Sequence, residues 1–143
     1  MLEQIGCGVT HGGTYVGNRM SMAAANATSE RIMNGALDTV ADNGRKLQEA
    51  ISEVLTPFGI PFVIEGHPSL FNIWFAEEPP YEFRDWKGSD HSFYDAVAAG
   101  LIARGVMPEP DSREPWFICE ALSDQDIAET AQALEESVRA ALS

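Results

Sequence analysis

Residues 7–27 read CGVTHGGTYVGNRMSMAAANA, a glycine-rich loop followed directly by an alanine-rich segment. Glycines 8, 12, 13 and 17 allow backbone conformations that other residues avoid, and they leave a ligand room to approach. The alanines predict a helix, whose free N-terminal amides and positive dipole end favour a phosphate or a carboxylate at the loop. The Thr14 hydroxyl adds a donor. The spacing matches neither GxxxxGK[ST] nor GxGxxG, so a plain capped helix start remains the alternative.

The composition sets the class of protein. The chain has 143 residues, of which 45% are hydrophobic and 22% charged, which predicts one globular domain with a core. Nine basic and 22 acidic residues give a formal charge of −13, which argues against binding to nucleic acid or to an anionic membrane. No apolar run approaches ~18 residues, and the first residues do not resemble a signal peptide, so we expect a cytoplasmic protein.

Helical patterns occupy much of the chain. Residues 18–33 predict a helix that loosens or kinks at Asn34-Gly35, and a second apolar stripe then continues to Pro57 and Gly59. Ser89 is the expected cap of a third helix that ends at Gly105. A capping box of Ser123 and Asp126 opens the last helix. The second stripe consists of Leu37, Val40, Leu47, Ile51 and Val54.

Two pairs of strands are predicted between these helices. Residues 62–66 and 69–75 predict a hairpin joined at His67-Pro68, and residues 106–107 and 115–119 predict two short strands around a proline turn. Both faces of the 69–75 strand are largely apolar, which indicates that another domain or subunit covers one of them. Residues 77–88 predict a loop. The expected fold is α+β: a small, mainly antiparallel sheet with helices packed on one side, preceded by a long helix that loosens or kinks.

The run HGGTYVGNRMSMAAA, residues 11–25, resembles a segment of the class III aminotransferases, most similarly the glutamate-1-semialdehyde 2,1-aminomutases. The resemblance extends over essentially the whole chain and is strongest at residues 11–33 and 101–135. It implies the small C-terminal domain of a fold-type-I pyridoxal-phosphate enzyme. One difference is Arg19, where the family usually has proline at the first helical position.

The resemblance also implies site residues. Gly13 and Thr14 match the family motif that binds the cofactor phosphate of the neighbouring subunit, which implies pyridoxal 5'-phosphate as cofactor and a homodimer as assembly. Residues 1–17 are then a cofactor-phosphate loop segment, and residues 18–143 are the linking helix and small domain as one globular unit.

A transaminase also needs a lysine for the Schiff base, a carboxylate for the pyridine nitrogen and a platform for the ring. Lys46 and Lys87 both lie in polar sequence, and neither matches the family lysine, which precedes the region where this chain begins. We therefore expect the C-terminal part of an enzyme for amino-group transfer, with no catalytic residue of its own. The alternative is a stand-alone module, derived from such an enzyme, that binds an anion or another protein.

The remaining polar residues give weaker candidates. His11, His67 and His91 are too scattered for a zinc site, so we expect no metal. Cys7 and Cys119 are interpreted as two buried or idle thiols in a reducing compartment, with a disulfide left open. Arg113 is interpreted as part of a surface ion pair, with a substrate carboxylate as the alternative partner.

Overall fold

The computed structural model of the chain describes Cys7 and residues 12–143. It divides into two compact units, Met1–Ala36 and Leu37–Ser143, which we call unit 1 and unit 2. This division falls inside the segment 18–143 that the sequence analysis treats as one globular unit. The functional boundary at residues 17 and 18 stays a prediction.

Unit 1 contains helix α1, Arg19–Met33. The small alanine side chains favour the helix, but none of its residues is buried. The helix ends at Asn34, and Gly35 adopts a φ of 93°. The predicted interruption at Asn34-Gly35 is therefore confirmed.

Unit 2 begins with most of helix α2, Ala36–Leu55. Its apolar stripe is buried at Leu47, Ile51 and Leu55, whereas Leu37, the first member of the predicted stripe, is 59% exposed. A short 3-10 helix, Thr56–Phe58, follows, and Gly59 ends it in the left-handed region. The predicted end of the helix at Pro57 and Gly59 is thus correct to within a few residues.

The sheet has three antiparallel strands in the order β1-β2-β3 among the described residues. Strands β1, Val63–His67, and β2, Leu70–Trp74, form a hairpin in which His67 pairs with Leu70 across a two-residue turn. Strand β3 is only Trp116–Phe117, and Phe117 pairs with Leu70. The mainly antiparallel sheet that the sequence predicts is confirmed.

The predicted strand at residues 106–107 is wrong. The Val106 amide donates to the Leu101 carbonyl oxygen at 3.0 Å and so completes the end of helix α3, His91–Ala103, instead of joining a strand. Pro115, directly before β3, has no amide N–H to give to the sheet, which limits the strand on that side.

Helices cover one face of the sheet. Phe71, Ile73 and Phe75 point into the core, where they join apolar residues of α2, α3 and helix α4, Asp124–Ala141. On the opposite face, Leu70 is 44% exposed and its neighbour Phe117 is 74% exposed. The helices of the chain thus cover the sheet face that carries Phe71. The face that carries Leu70 stays exposed.

Glycines permit two close contacts within unit 2. A Cβ atom on Gly44 of α2 would lie 1.9 Å from the Pro68 carbonyl oxygen in the hairpin turn. On Gly100 of α3, a Cβ atom would lie 2.8 Å from the Ser137 Cβ of α4. Both glycines are therefore needed for the packing of helix against turn and of helix against helix.

The helix caps are partly as predicted. Ser123 and Asp126 form the expected capping box of α4. Helix α3 begins one residue later than predicted, because the Asp90 side chain accepts the Phe93 amide at 2.9 Å, while the Ser89 hydroxyl donates to the Trp86 carbonyl oxygen. In the described part of the chain, no helix is long and apolar enough to cross a membrane.

Candidate cofactor-phosphate site

Thr14 lies in a tight turn directly before α1. The Val16 amide donates to the Gly13 carbonyl oxygen at 3.1 Å, and the Asn18 amide donates to the Tyr15 carbonyl oxygen at 3.1 Å. Gly17 has a φ of 76°, a left-handed conformation that glycine adopts without strain. Gly13 and Thr14 are both exposed, so their backbone and the Thr14 hydroxyl are accessible. The part of the predicted loop segment at residues 1–6 and 8–11, which includes Gly8 and His11, lies outside the described residues.

The beginning of α1 is well formed for binding an anion. Asn18 caps the helix, because its Oδ1 accepts the Ser21 amide at 3.0 Å and the Ser21 hydroxyl at 3.2 Å. The first turn has no acidic residue, and the cationic Arg19 stands at the first helical position. A negative group near this end meets the positive end of the helix dipole without a carboxylate to repel it. The residues present therefore fit a phosphate.

The lysines are placed as surface residues. The Lys46 ammonium group donates to the Asp124 carboxylate at 2.6 Å, and this hydrogen bond raises the pKa of Lys46 above its usual value. A Schiff-base lysine needs the opposite change, a lowered pKa that supplies the free amine. Lys87 is exposed in a 3-10 helix, Asp85–Gly88.

The other candidates have structural partners. The His67 ring Nδ1 lies 2.8 Å from the Ser69 hydroxyl, and the His91 ring stacks on Trp86 with centroids 4.7 Å apart. Among the described residues, no group of three His, Cys, Asp or Glu side chains is arranged to hold a metal ion. Cys7 and Cys119 are both free thiols and exposed.

The predicted ion pair of Arg113 is confirmed. Its guanidinium Nε donates to the Asp111 carboxylate at 2.8 Å, and this contact lowers the pKa of Asp111 to about 2. The guanidinium also lies over the Trp86 ring, 5.2 Å from its centroid. Arg113 therefore has two partners within its own unit.

A small cleft beside β3 was not predicted from the sequence. It has a volume of about 150 Å³ and is bordered by residues 106–109 and by Leu47 in the middle of α2. Behind it, the Trp116 indole N–H donates to the Tyr94 hydroxyl at 2.8 Å, and that hydroxyl donates to the Glu109 carbonyl oxygen at 2.6 Å. Burial raises the pKa of Tyr94 to about 12. Because the sequence predicted a strand at residues 106–107, it gave no indication of this cleft.

The sequence is similar to curated proteins over nearly its whole length. A glutamate-1-semialdehyde 2,1-aminomutase from Thermus thermophilus is 32% identical over 132 residues, which is 91% of this chain and 31% of the relative. The corresponding protein from Campylobacter fetus is 30% identical over 142 residues, 98% of this chain and 33% of the relative. The chain is therefore similar to glutamate-1-semialdehyde 2,1-aminomutases over nearly its whole length. It spans about a third of the length of these aminomutase relatives. No protein-family model matches the chain.

Solved transaminase structures share the fold. An omega-transaminase from Sphaerobacter thermophilus superposes with a TM-score of 0.82 at 22% identity, over 94% of this chain and 31% of the transaminase. The FumI protein of a Sphingopyxis species, in its internal aldimine form with PLP, gives a TM-score of 0.79 at 23% identity, over 95% of this chain and 30% of FumI. The predicted fold, that of the small C-terminal domain of fold-type-I enzymes, is confirmed.

Proposed function

We propose that this chain supplies the small domain and the partner-subunit phosphate loop of a pyridoxal-phosphate-dependent aminotransferase or 2,1-aminomutase, an enzyme of amino-group transfer. The observation that carries the proposal is the relationship to 2,1-aminomutases along 91% of the chain. It is supported by the Gly13-Thr14 turn, which stands before a capped helix with no acidic residue in its first turn. A cytoplasmic location remains a prediction.

Pyridoxal phosphate, when bound, supplies the electron sink for chemistry at an amino-bearing carbon. The residues of this chain would act at the other end of the cofactor, on its phosphate. The Thr14 hydroxyl and the amides beside Gly13 would donate hydrogen bonds to phosphate oxygens, and the positive end of α1 would add to their attraction. Their role is to hold and orient the cofactor.

The same proposal requires groups from elsewhere. Lys46 is engaged with Asp124 and Lys87 is exposed, so the Schiff-base lysine would belong to a large domain, and the phosphate would be held mainly by the other subunit of a homodimer. We expect the isolated chain, mixed with pyridoxal phosphate and an amino donor, to give no turnover. Sustained change in the cofactor absorbance would contradict this.

The decisive experiment is Thr14→Val in the dimer expressed from the full reading frame, once the DNA upstream of Met1 has been sequenced. The substitution keeps the shape of the side chain and removes the donor. Because a hydrogen bond to a charged group contributes roughly 1.5–3 kcal/mol, the affinity for pyridoxal phosphate should fall about ten- to a hundredfold.

Thr28→Val is the matched control, because Thr28 is also exposed but lies in the middle of α1. It should leave the cofactor affinity unchanged. An equal affinity of the Thr14→Val and wild-type dimers would remove Thr14 from the site.

The alternative, a stand-alone module, is favoured by one observation: Leu70 and Phe117 remain exposed together on the outer face of the sheet. Such a face suits contact with another protein. The DNA upstream of Met1 separates the two proposals. An in-frame large domain with a lysine in the expected segment supports the enzyme, and the lack of any such frame supports the module.

A further inference from the structure

Residues 77–88 form a loop, which we call the strap, that leaves the core after Phe75 and returns to it at Asp90. The two ends meet, because the Asp90 amide donates to the Phe75 carbonyl oxygen at 2.8 Å. Almost every strap side chain is exposed. Among the large ones, Tyr81 is 96% and Phe83 is 65% exposed. The strap therefore adds little to the core, although it is closed at its base.

Within the strap, the hydrogen bonds are local. The Asp85 carboxylate accepts the amides of Tyr81 and Glu82, both at 3.1 Å. These bonds shape the strap but do not attach it to anything else. A segment stabilised in this way opens without disturbing its surroundings.

The attachment is made by Trp86, which is half-buried. Its indole N–H donates to the Ser112 hydroxyl at 2.8 Å, its ring stacks on His91, and the Arg113 guanidinium lies over the ring. In the described part of the chain, the hydrogen bonds and ring contacts that leave the strap all involve this one residue.

The receiving turn is fixed to the sheet. Ser112 is only 4% exposed, and its carbonyl oxygen accepts the Asn72 side-chain amide at 3.3 Å. Asn72 lies between Leu70 and Trp74 on strand β2, on the outer face of the sheet. The strap is thus linked through Ser112 to the middle of strand β2, whereas Leu70 and Phe117 are exposed.

We propose that the strap opens and closes on a single latch, the Trp86 side chain held by Ser112 and Arg113, while the rest of unit 2 stays folded. In the closed state Trp86 links the strap through Ser112 to Asn72 of β2. In the open state this link is broken. A neutral hydrogen bond and an exposed cation–π contact are each modest interactions, so the open state should be populated well before unit 2 unfolds.

Limited digestion with trypsin tests the latch, because the strap contains Arg84 and Lys87, while Arg104 and Arg139 lie at the ends of α3 and α4. Cleavage after Arg84 and Lys87 reports strap opening, and cleavage after Arg104 and Arg139 reports loss of the helices. When closing is faster than cleavage, the rates follow the open populations. The fragments are distinguished by mass.

Trp86→Ala should raise cleavage in the strap by about tenfold or more, with cleavage at the two helix ends changed by less than about twofold. Ser112→Ala, which removes only the hydrogen-bond acceptor, should give a smaller increase in the strap alone. Phe83→Ala is the matched control, since Phe83 stacks on Trp86 at 6.1 Å but has no contact with Ser112 or Arg113 among the described interactions.

Three results would overturn the proposal. Strap cleavage that is unchanged in Trp86→Ala would show that the indole does not hold the strap. Strap cleavage that rises only in step with cleavage at the helix ends would show that the strap opens only with the whole unit. An increase in Phe83→Ala equal to that in Trp86→Ala would show that the attachment is not specific to Trp86.

Discussion

Helices α1 and α4 are similar in length, 15 and 18 residues, and each begins with a side-chain cap. Helix α4 buries Ile127, Leu134 and Val138 along one stripe, whereas α1 buries none of its residues. Both helices have the local features that begin a helix. They differ in whether their residues are buried.

This difference shows what stabilises each helix. An isolated helix of about 12–15 residues is only marginally stable in water, so most helical stability in proteins comes from packing. Helix α4 gains that packing from the core of unit 2. None of the residues of helix α1 is buried, and Met20 is 80% and Met33 86% exposed.

Core truncation should show the largest difference between the two helices. Leu134→Ala removes a side chain that is 1% exposed and should lower the free energy of unfolding by about 2–5 kcal/mol. Met20→Ala in α1 should change it by less than about 0.5 kcal/mol. Urea denaturation of both variants measures the effect. Similar losses in the two variants would mean that α1 is packed within the isolated chain.

Alanine substitution of one glycine in each unit should give a smaller difference in the free energy of unfolding. Gly44→Ala forces a methyl group against the Pro68 carbonyl oxygen, so despite the better helix propensity of alanine it should destabilise unit 2 by about 1–3 kcal/mol. Gly12→Ala, in unit 1, has nothing within 4 Å of the added Cβ and should have little effect. A more stable Gly44→Ala variant would refute the close contact between α2 and the hairpin turn.

Removing the cap of each helix should give a still smaller difference in stability. Ser123→Ala breaks the capping box of α4 and should reduce the stability of unit 2 by about 0.5–2 kcal/mol. Asn18→Ala removes the cap of α1 and should speed amide hydrogen exchange in the first turn of that helix, with the unfolding midpoint of unit 2 unchanged. A shifted midpoint in Asn18→Ala would show that the two units unfold together.

Lowering the pH should produce the smallest difference in stability between the caps of α4 and α1. The Ser123 hydroxyl and amide both donate to the Asp126 carboxylate and hold its pKa below the usual value, so the ionised form is favoured in the folded chain. Because the folded pKa is the lower one, this stabilisation is complete above the unfolded value of 3.8 and is lost as the pH falls through the folded value.

The cap of α1 is the neutral amide of Asn18 and should show no such dependence. Titration of the Asp126 carboxyl by NMR measures the shift directly, with Asp126→Asn as the variant that lacks it. An Asp126 pKa at or above 3.8 would contradict the capping geometry.

The sequence predicted features that depend on neighbouring residues. The capping box at Ser123 and Asp126 needs only a spacing of three, and the interruption at Asn34-Gly35 needs only two poor helix formers. The cap of α3 shows the limit, since Ser89 and Asp90 are both good caps and their local sequence does not decide between them. The contacts of Asp90 with Phe93 and of Ser89 with Trp86 do.

Features that join distant residues were not predictable. The approach of Gly44 to Pro68 and the hydrogen bond of Trp86 to Ser112 depend on how the elements pack in three dimensions. For the site, the glycine-rich loop before a predicted helix indicated only an anion at a helix start. The choice of Gly13 and Thr14 came from the resemblance to the aminotransferases, and the structure adds the turn in which they lie.

The three tryptophans, Trp74, Trp86 and Trp116, all lie in unit 2. Intrinsic tryptophan fluorescence of this chain is therefore an optical signal from one unit only, with one emitter near the outer sheet face, one in the latch and one in the core. A fluorophore attached to Cys7 would give a separate optical signal from unit 1, provided that Cys119, which is also exposed, is first replaced by serine.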